Sequence, residues 1–180
     1  MRALEDDILR VCISENEINE MVNRISKEII KDYGNKNPLF IGILKGCIPF
    51  MTDLLKKTTI PSTLDYMKVS SYSGKESTGK ITIKGDFPDV KDRDVIIVED
   101  ILDTGRTLFE IKKLMIEKGA KSVSLCVLLD KPEGRKVNIN ADYVGGIVPN
   151  EFVVGYGLDY NEKYRNLPYI GVLKEEVYKN

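Results

Sequence analysis

There is no histidine in this 180-residue sequence. Histidine triads and histidine proton shuttles are therefore excluded, and any acid–base step falls to a carboxylate, lysine, tyrosine or cysteine. Cysteine is scarce too. Cys12, Cys47 and Cys126 stand singly in apolar surroundings with no CxxC spacing, so they read as reduced core residues and not as a disulfide or zinc framework. No apolar run approaches membrane-spanning length, and the first seven residues carry acids in place of an apolar leader core. The expected compartment is the cytoplasm, with no membrane partner. Neither sign of charge predominates: 27 lysines and arginines face 28 acids, for a net charge of −1. That balance provides no electrostatic footprint for nucleic acid, so partners are expected to be small molecules. Repeats, low-complexity tracts and long linkers are also missing, and a single domain over residues 1–180 is expected.

What is present is concentrated in residues 95–108, VIIVEDILDTGRTL. Val95, Ile96, Ile97 and Val98 form a β-branched run suited to a parallel strand buried on both faces. Glu99 and Asp100 follow at once, and Asp103, Thr104, Gly105, Arg106 and Thr107 lead into the helical spacing of Leu108, Ile111, Leu114 and Met115. The expected order is strand, acidic turn, helix. In an open α/β sheet such a turn lies at the carboxyl end of a strand, where ligands bind. Small and hydroxyl-bearing residues at the helix start leave backbone N–H groups for a phosphate. Glu99 and Asp100 would repel that phosphate unless each holds something else, such as ribose hydroxyls or a divalent cation. A sugar phosphate with a cation satisfies the whole stretch. The loop is not a Walker A motif, because GxxxxGK[ST] is absent and the acids precede the cradle. An ordinary helix cap would need one residue such as Asp103 or Thr104, not three acids.

The flanks read as scaffold and further strand-end loops. Ser14 and Glu17 form a capping box, and Ile18, Met21, Val22, Ile25, Ile29 and Ile30 recur at helical spacing until Gly34 supplies the stop. Residues 38–44 read as a short buried strand, followed by Lys45, Gly46 and an apolar helix that Pro49 can begin. A lysine beside a glycine at the sheet's carboxyl edge can bring charge and bare N–H groups to a diphosphate; the same tripeptide also suits a solvated turn lysine. Residues 63–71 alternate as a strand with ambiguous faces. Residues 70–80, SSYSGKESTGK, have almost nothing to bury and read as a mobile lid or a passive hairpin loop. Residues 81–84 return as a strand, 91–94 form a polar turn, and Gly119 closes the central helix. The buried strand at 122–129 is broken by Asp130, Lys131 and Pro132, which leaves Lys131 at another carboxyl end. Strands are expected at 143–148, 152–156 and 170–173, with Asp159 and Arg165 in the loop GLDYNEKYRNLP. Phe152 fits a core residue or a stacking platform, Asp159 a turn cap or a ligand, and Arg165 a solvated charge or an anion contact.

The central stretch resembles the motif with which type I phosphoribosyltransferases bind 5-phosphoribosyl 1-diphosphate. LKG at 44–46, SSY at 70–72, the central stretch, DKP with Arg135 beyond it, and EFVVGYGLDYNEKYRNLP at 151–168 follow an order similar to that of the hypoxanthine-guanine phosphoribosyltransferases. The resemblance covers nearly the whole chain. It implies an α/β fold with a central parallel sheet flanked by helices, the type I phosphoribosyltransferase fold, and a small hood built from terminal segments. It implies Asp103 as proton acceptor, Glu99 and Asp100 at the ribose hydroxyls and magnesium, and Thr104, Gly105, Arg106 and Thr107 on the 5′-phosphate. Lys45, Gly46 and Arg165 would hold diphosphate, and Ser71 and Tyr72 would contact substrate from the lid. Lys131 and Val153 would meet the purine edge, Phe152 would stack on its ring, and Asp159 would serve the exocyclic group and a second magnesium. Arg106 stands where many relatives have lysine, a departure that concerns only that side chain. The implied reaction joins hypoxanthine or guanine to phosphoribosyl diphosphate, giving IMP or GMP and diphosphate, in a homodimer or homotetramer that uses Mg2+.

Two rival readings remain. A non-enzymatic regulator that senses phosphoribosyl diphosphate while binding RNA or DNA would need a basic face, which this charge balance does not favour. An enzyme of the same fold for xanthine or a pyrimidine would differ only in its choice of base.

Overall fold

The computed structural model describes residues 3–71 and 81–179. The Ser14 side chain accepts from the Glu17 N–H, and the Glu17 carboxylate accepts from the Ser14 N–H at 2.8 Å, so the expected capping box starts α1 (Glu15–Tyr33). Gly34 ends the helix in the right-handed region at φ −49, and the left-handed residue is Asn37. The stop is thus a turn over three further residues and not a left-handed glycine.

Six strands form the main sheet in the order β4-β3-β2-β5-β6-β7. They are β2 (Leu39–Leu44), β3 (Thr63–Ser71), β4 (Ile81–Lys84), β5 (Asp94–Leu102), β6 (Ser122–Asp130) and β7 (Tyr143–Ile147). All neighbours pair in parallel except β3 with β4, an antiparallel edge. Both faces are covered, as a parallel sheet requires. On one face α1 and α2 (Ile48–Lys57) bury Ile18, Ile25, Phe50 and Leu54 against Ile96, Val98 and Cys126. On the other, α3 (Arg106–Glu117) buries Leu108, Ile111 and Met115 against Val95, Ile97 and Val127. From β2 the chain crosses through α2 to β3, and from β5 through α3 to β6, on the opposite side. The strand order therefore reverses between β2 and β5, which opens a crevice at their carboxyl ends.

A second, three-stranded antiparallel sheet has the order β1-β9-β8, made of β1 (Ile8–Ile13), β8 (Val153–Val154) and β9 (Ile170–Leu173). The short helix α4 (Glu175–Tyr178) follows. β1 and α4 are not legible in the sequence; Leu9 and Val11 are exposed on β1, so no buried periodicity marks the strand. The strand expected at 152–156 shrinks to two residues, because Gly155 and Tyr156 take positive φ values of 102 and 46 and turn the chain away. Phe152, just before β8, also lies outside it, although its backbone oxygen accepts from the Leu173 N–H at 2.9 Å. Among the described residues no helix is long and apolar enough to cross a membrane.

Candidate functional site

Two loops meet in the crevice. After β2 comes the cis Leu44–Lys45 peptide bond and then Gly46, packed so closely on Asp100 that a Cβ would come within 1.8 Å of its Oδ2. A side chain at position 46 would displace the acid. The other loop follows β5, and here the sequence expectation needs correction: Glu99 and Asp100 lie in the strand, not in a turn. Pairing with β6 continues through Ile101 with Leu129 and Leu102 with Asp130, so sheet hydrogen bonds fix the backbone of both acids. Their carboxyl groups lie within hydrogen-bond reach of each other. Glu99 enters the wall of a cavity of about 270 Å³ together with Asp103, Thr104, Gly105 and Thr107, while Asp100 lies under Gly46.

Burial pushes the Glu99 carboxyl well above the usual carboxylate range, and the neighbouring Asp100 charge adds to the effect. Burial also pushes Asp100 up to about 6, against the opposing pull of the Ile101 N–H and the Arg165 charge. Glu99 Oε2 is buried without a hydrogen-bond partner among the described residues, and so is Arg165 Nε. Buried polar atoms left unpaired are costly. An incoming cation or hydroxyl group would satisfy the acid, and an incoming anion the guanidinium.

The loop expected to cradle a phosphate takes its shape from Gly105, the residue before α3, whose φ of 79 is left-handed. A Cβ there would also meet Ile139 Cγ2 at 2.6 Å, so both conformation and space select glycine. Arg106 is exposed and is absent from the cavity wall, which Thr104, Gly105 and Thr107 line. The turn after β6 grips this loop. Lys131 N–H donates to the Leu102 oxygen at 3.0 Å, and Lys136 N–H to the Thr104 oxygen at 2.9 Å. Arg135 Nη1 donates to the oxygens of Leu102 at 3.2 Å and Asp103 at 3.0 Å while the guanidinium pairs with Asp130. The Asp103 carboxylate lies beside Gly134, where a Cβ would approach Oδ1 to 1.9 Å. Arg135 thus clamps the loop through the main-chain oxygens of Leu102 and Asp103, contacts that sequence does not reveal.

The loop after β8 brings a cluster of opposite charges to the crevice. Gly157 passes so close to Gly46 that a Cβ would meet its carbonyl oxygen at 2.0 Å. Arg165 donates to the Gly157 oxygen at 2.7 Å and pairs with Asp159 at 2.8 Å and Glu162 at 3.4 Å. Lys45 Nζ pairs with Glu162 at 2.6 Å. The two cations assigned to diphosphate are therefore brought together, with Glu162 as their shared counter-ion. Nothing in sequence distinguishes Glu162 from an ordinary solvated acid.

A third group assembles beside it. Lys131 Nζ donates to the Glu151 backbone oxygen at 3.3 Å, and the Glu151 carboxylate pairs with Arg10 of β1. The Phe152 ring meets Tyr160 edge-on and stacks on Tyr178. Val153 is buried and paired with Val172. Ser71 is the last residue of β3, paired with Ile81, whereas Tyr72 and the rest of the lid expectation, through Lys80, lie outside the described residues.

Among the described residues no group of three or more acidic, cysteine or histidine side chains gathers into a metal cluster, so Asp159 does not join Glu99 and Asp100 in one ligand set. A hard cation at the two acids would take its remaining oxygens from substrate and water, which is how Mg2+ is commonly held.

Buried acids and paired cations meet at the switch point of a doubly wound sheet, an arrangement that suits a phosphoribosyltransferase, and residues 14–161 match the family model described as phosphoribosyl transferase domain. The chain is 55% identical over 179 residues to the hypoxanthine-guanine phosphoribosyltransferase of Streptococcus pneumoniae, covering 98% of this chain and 99% of that one. It is 50% identical to that of Streptococcus pyogenes, over 97% of this chain and 98% of the relative. The crystal structure of a hypoxanthine phosphoribosyltransferase from Staphylococcus aureus superimposes with a TM-score of 0.95 at 46% identity, covering 100% of both chains. This chain belongs to the hypoxanthine-guanine phosphoribosyltransferase family. It is a glycosyltransferase of purine salvage with the type I phosphoribosyltransferase fold.

Proposed function

We propose that this enzyme transfers the 5-phosphoribosyl group from phosphoribosyl diphosphate to hypoxanthine or guanine, giving IMP or GMP and diphosphate. The observation that carries this reading is the single cavity wall shared by Glu99, Asp103, Thr104, Gly105 and Thr107. Thr104 to Thr107 seat the 5′-phosphate and fix the sugar, and the acids beside them meet its hydroxyls. Lys45 and Arg165 exchange Glu162 and Asp159 for the diphosphate, whose charge they stabilise as it departs. Positive charge builds on the ribose in such glycosyl transfers, and Asp103 accepts the proton of the attacking purine nitrogen. Glu99 and Asp100, with Asp159 toward a second ion, are the residues that would hold Mg2+. When bound, Mg2+ supplies neutralisation of the diphosphate charge. Lys131 and Val153 meet the purine edge, and Phe152 is its stacking platform.

We read the whole chain as one cytoplasmic domain with the small sheet as its hood, and the enzyme as a homodimer or homotetramer. Residues 70–80, with Ser71 and Tyr72, serve as a lid that keeps water from the activated ribose. Diphosphate release measured with a panel of bases, phosphoribosyl diphosphate and magnesium tests the reading. Release with hypoxanthine and guanine is expected; release with xanthine or a pyrimidine alone would replace it.

Replacing both Glu99 and Asp100 by alanine is expected to weaken phosphoribosyl diphosphate binding and abolish its magnesium dependence in calorimetric titration. Unchanged affinity would make the acids structural. In the unaltered enzyme, magnesium-dependent binding should weaken as pH falls through about 6, the value to which burial raises Asp100. The protein's own stability should move the other way. A carboxyl whose folded pKa exceeds its unfolded value takes up a proton on folding, so its contribution rises as pH falls between the two.

A further inference from the structure

We infer that Tyr178, in the last helical turn, is a positioning residue for the base: its ring backs Phe152 and fixes the plane on which the purine stacks. The inference rests on the reading of Phe152 as the stacking platform. The Phe152 and Tyr178 centroids are 4.8 Å apart with an interplanar angle of 22°, and Tyr160 meets Phe152 edge-on at 5.6 Å and 89°. Offset stacking and edge contacts are the geometries that aromatic quadrupoles favour. Phe152 nevertheless remains 38% exposed. Its ring is therefore braced by neighbouring rings instead of being sunk into the core, and it keeps surface free for a ligand.

Tyr178 is itself anchored. It packs with Tyr160 and Val177 against the cluster of Val154, Tyr164, Leu167 and Leu173. The residue before α4, Lys174, donates its N–H to the Asp7 oxygen at 3.0 Å and its Nζ to the Asp6 oxygen at 2.6 Å. Leu173 N–H donates to the Phe152 oxygen at 2.9 Å, tying the main chain of the platform to the same sheet. The N-terminal segment thus holds the residue that begins α4, and β9 holds the main chain of Phe152. A flat ring at position 178 restricts the tilt of Phe152, so less ordering remains to be done when a purine binds.

Steady-state kinetics on the full-length enzyme test this. Tyr178→Ala is expected to raise the KM for hypoxanthine roughly 3- to 10-fold, the scale of one aromatic pair, with kcat and the KM for phosphoribosyl diphosphate nearly unchanged. Tyr178→Phe should retain the wild-type base KM, because the stack needs the ring and not the hydroxyl. Tyr178→Leu keeps apolar packing without a flat ring and should behave as alanine does, which covers the case of an alanine variant that fails to fold. Phe152→Ala separates the two layers. A raised base KM in Phe152→Ala with none in Tyr178→Ala or Tyr178→Leu overturns the positioning role and leaves the platform. An unchanged base KM in Phe152→Ala overturns the platform and the inference with it. Equal losses in kcat and both KM values, or a lowered base KM, would also overturn it, the first as a structural role and the second as competition for Phe152.

Discussion

Asp103→Asn is expected to bind both substrates about as well as the unaltered enzyme and to turn over on the order of 10²-fold more slowly in the forward direction. Asparagine has the same shape, and the features that hold position 103 do not depend on its charge. Arg135 donates to the main-chain oxygen of Asp103, and Gly134 leaves room for the side chain. What the substitution removes is a group that can accept a proton. With no histidine in the chain, Asp103 is the acid in the cavity wall nearest in sequence to the phosphate cradle. Glu99, the other acid in that wall, is shifted toward its protonated form by burial. Single-turnover kinetics with hypoxanthine would check the expectation. A variant that keeps full turnover would remove Asp103 from proton transfer.

The choice of base is expected to depend on Lys131. Hypoxanthine and guanine present an oxo group at position 6, a pure acceptor, and adenine presents an amino group that donates. A lysine ammonium only donates, so it pairs with the first and is left unpaired by the second. Sites built around one such hydrogen bond discriminate by roughly 10⁴-fold, because the wrong partner strands a desolvated charge. Lys131 follows β6 directly, and Pro132 opens a single 3-10 turn behind it. Its Nζ is held toward the 151–153 segment by the Glu151 oxygen, and Arg10 fixes Glu151 in turn. The wild type should therefore use 6-oxopurines and ignore adenine. Lys131→Gln, whose amide can offer either a donor or an acceptor, should lose efficiency with hypoxanthine and narrow the gap. Ratios of kcat/KM for hypoxanthine and adenine measure this. Equally sharp discrimination in the variant would move the choice of base to backbone groups near Val153.

Much of the site was determined by local chemistry that a linear sequence displays. The β-branched run at residues 95–98 reads as a buried strand from its residue types and pairs in parallel on both sides, and a glycine beside threonines after acids is the pattern expected of an anion cradle. Ser14 with Glu17 starts a helix by satisfying its own first N–H groups. These are interactions between near neighbours in the chain, and the residue types alone encode them. Tertiary structure decided the rest, because the partners are far apart in sequence. Glu99 and Asp100 belong to a strand and not a turn because β6 extends as far as β5 and pairs with it to Leu102. Their raised pKa values follow from burial, which no sequence neighbour supplies. β1 is a strand only because β9, at the other end of the chain, completes its ladder. Lys45 meets Glu162 across 117 residues and Arg10 meets Glu151 across 141. Tyr178 finds Phe152 only after both chain termini join one sheet.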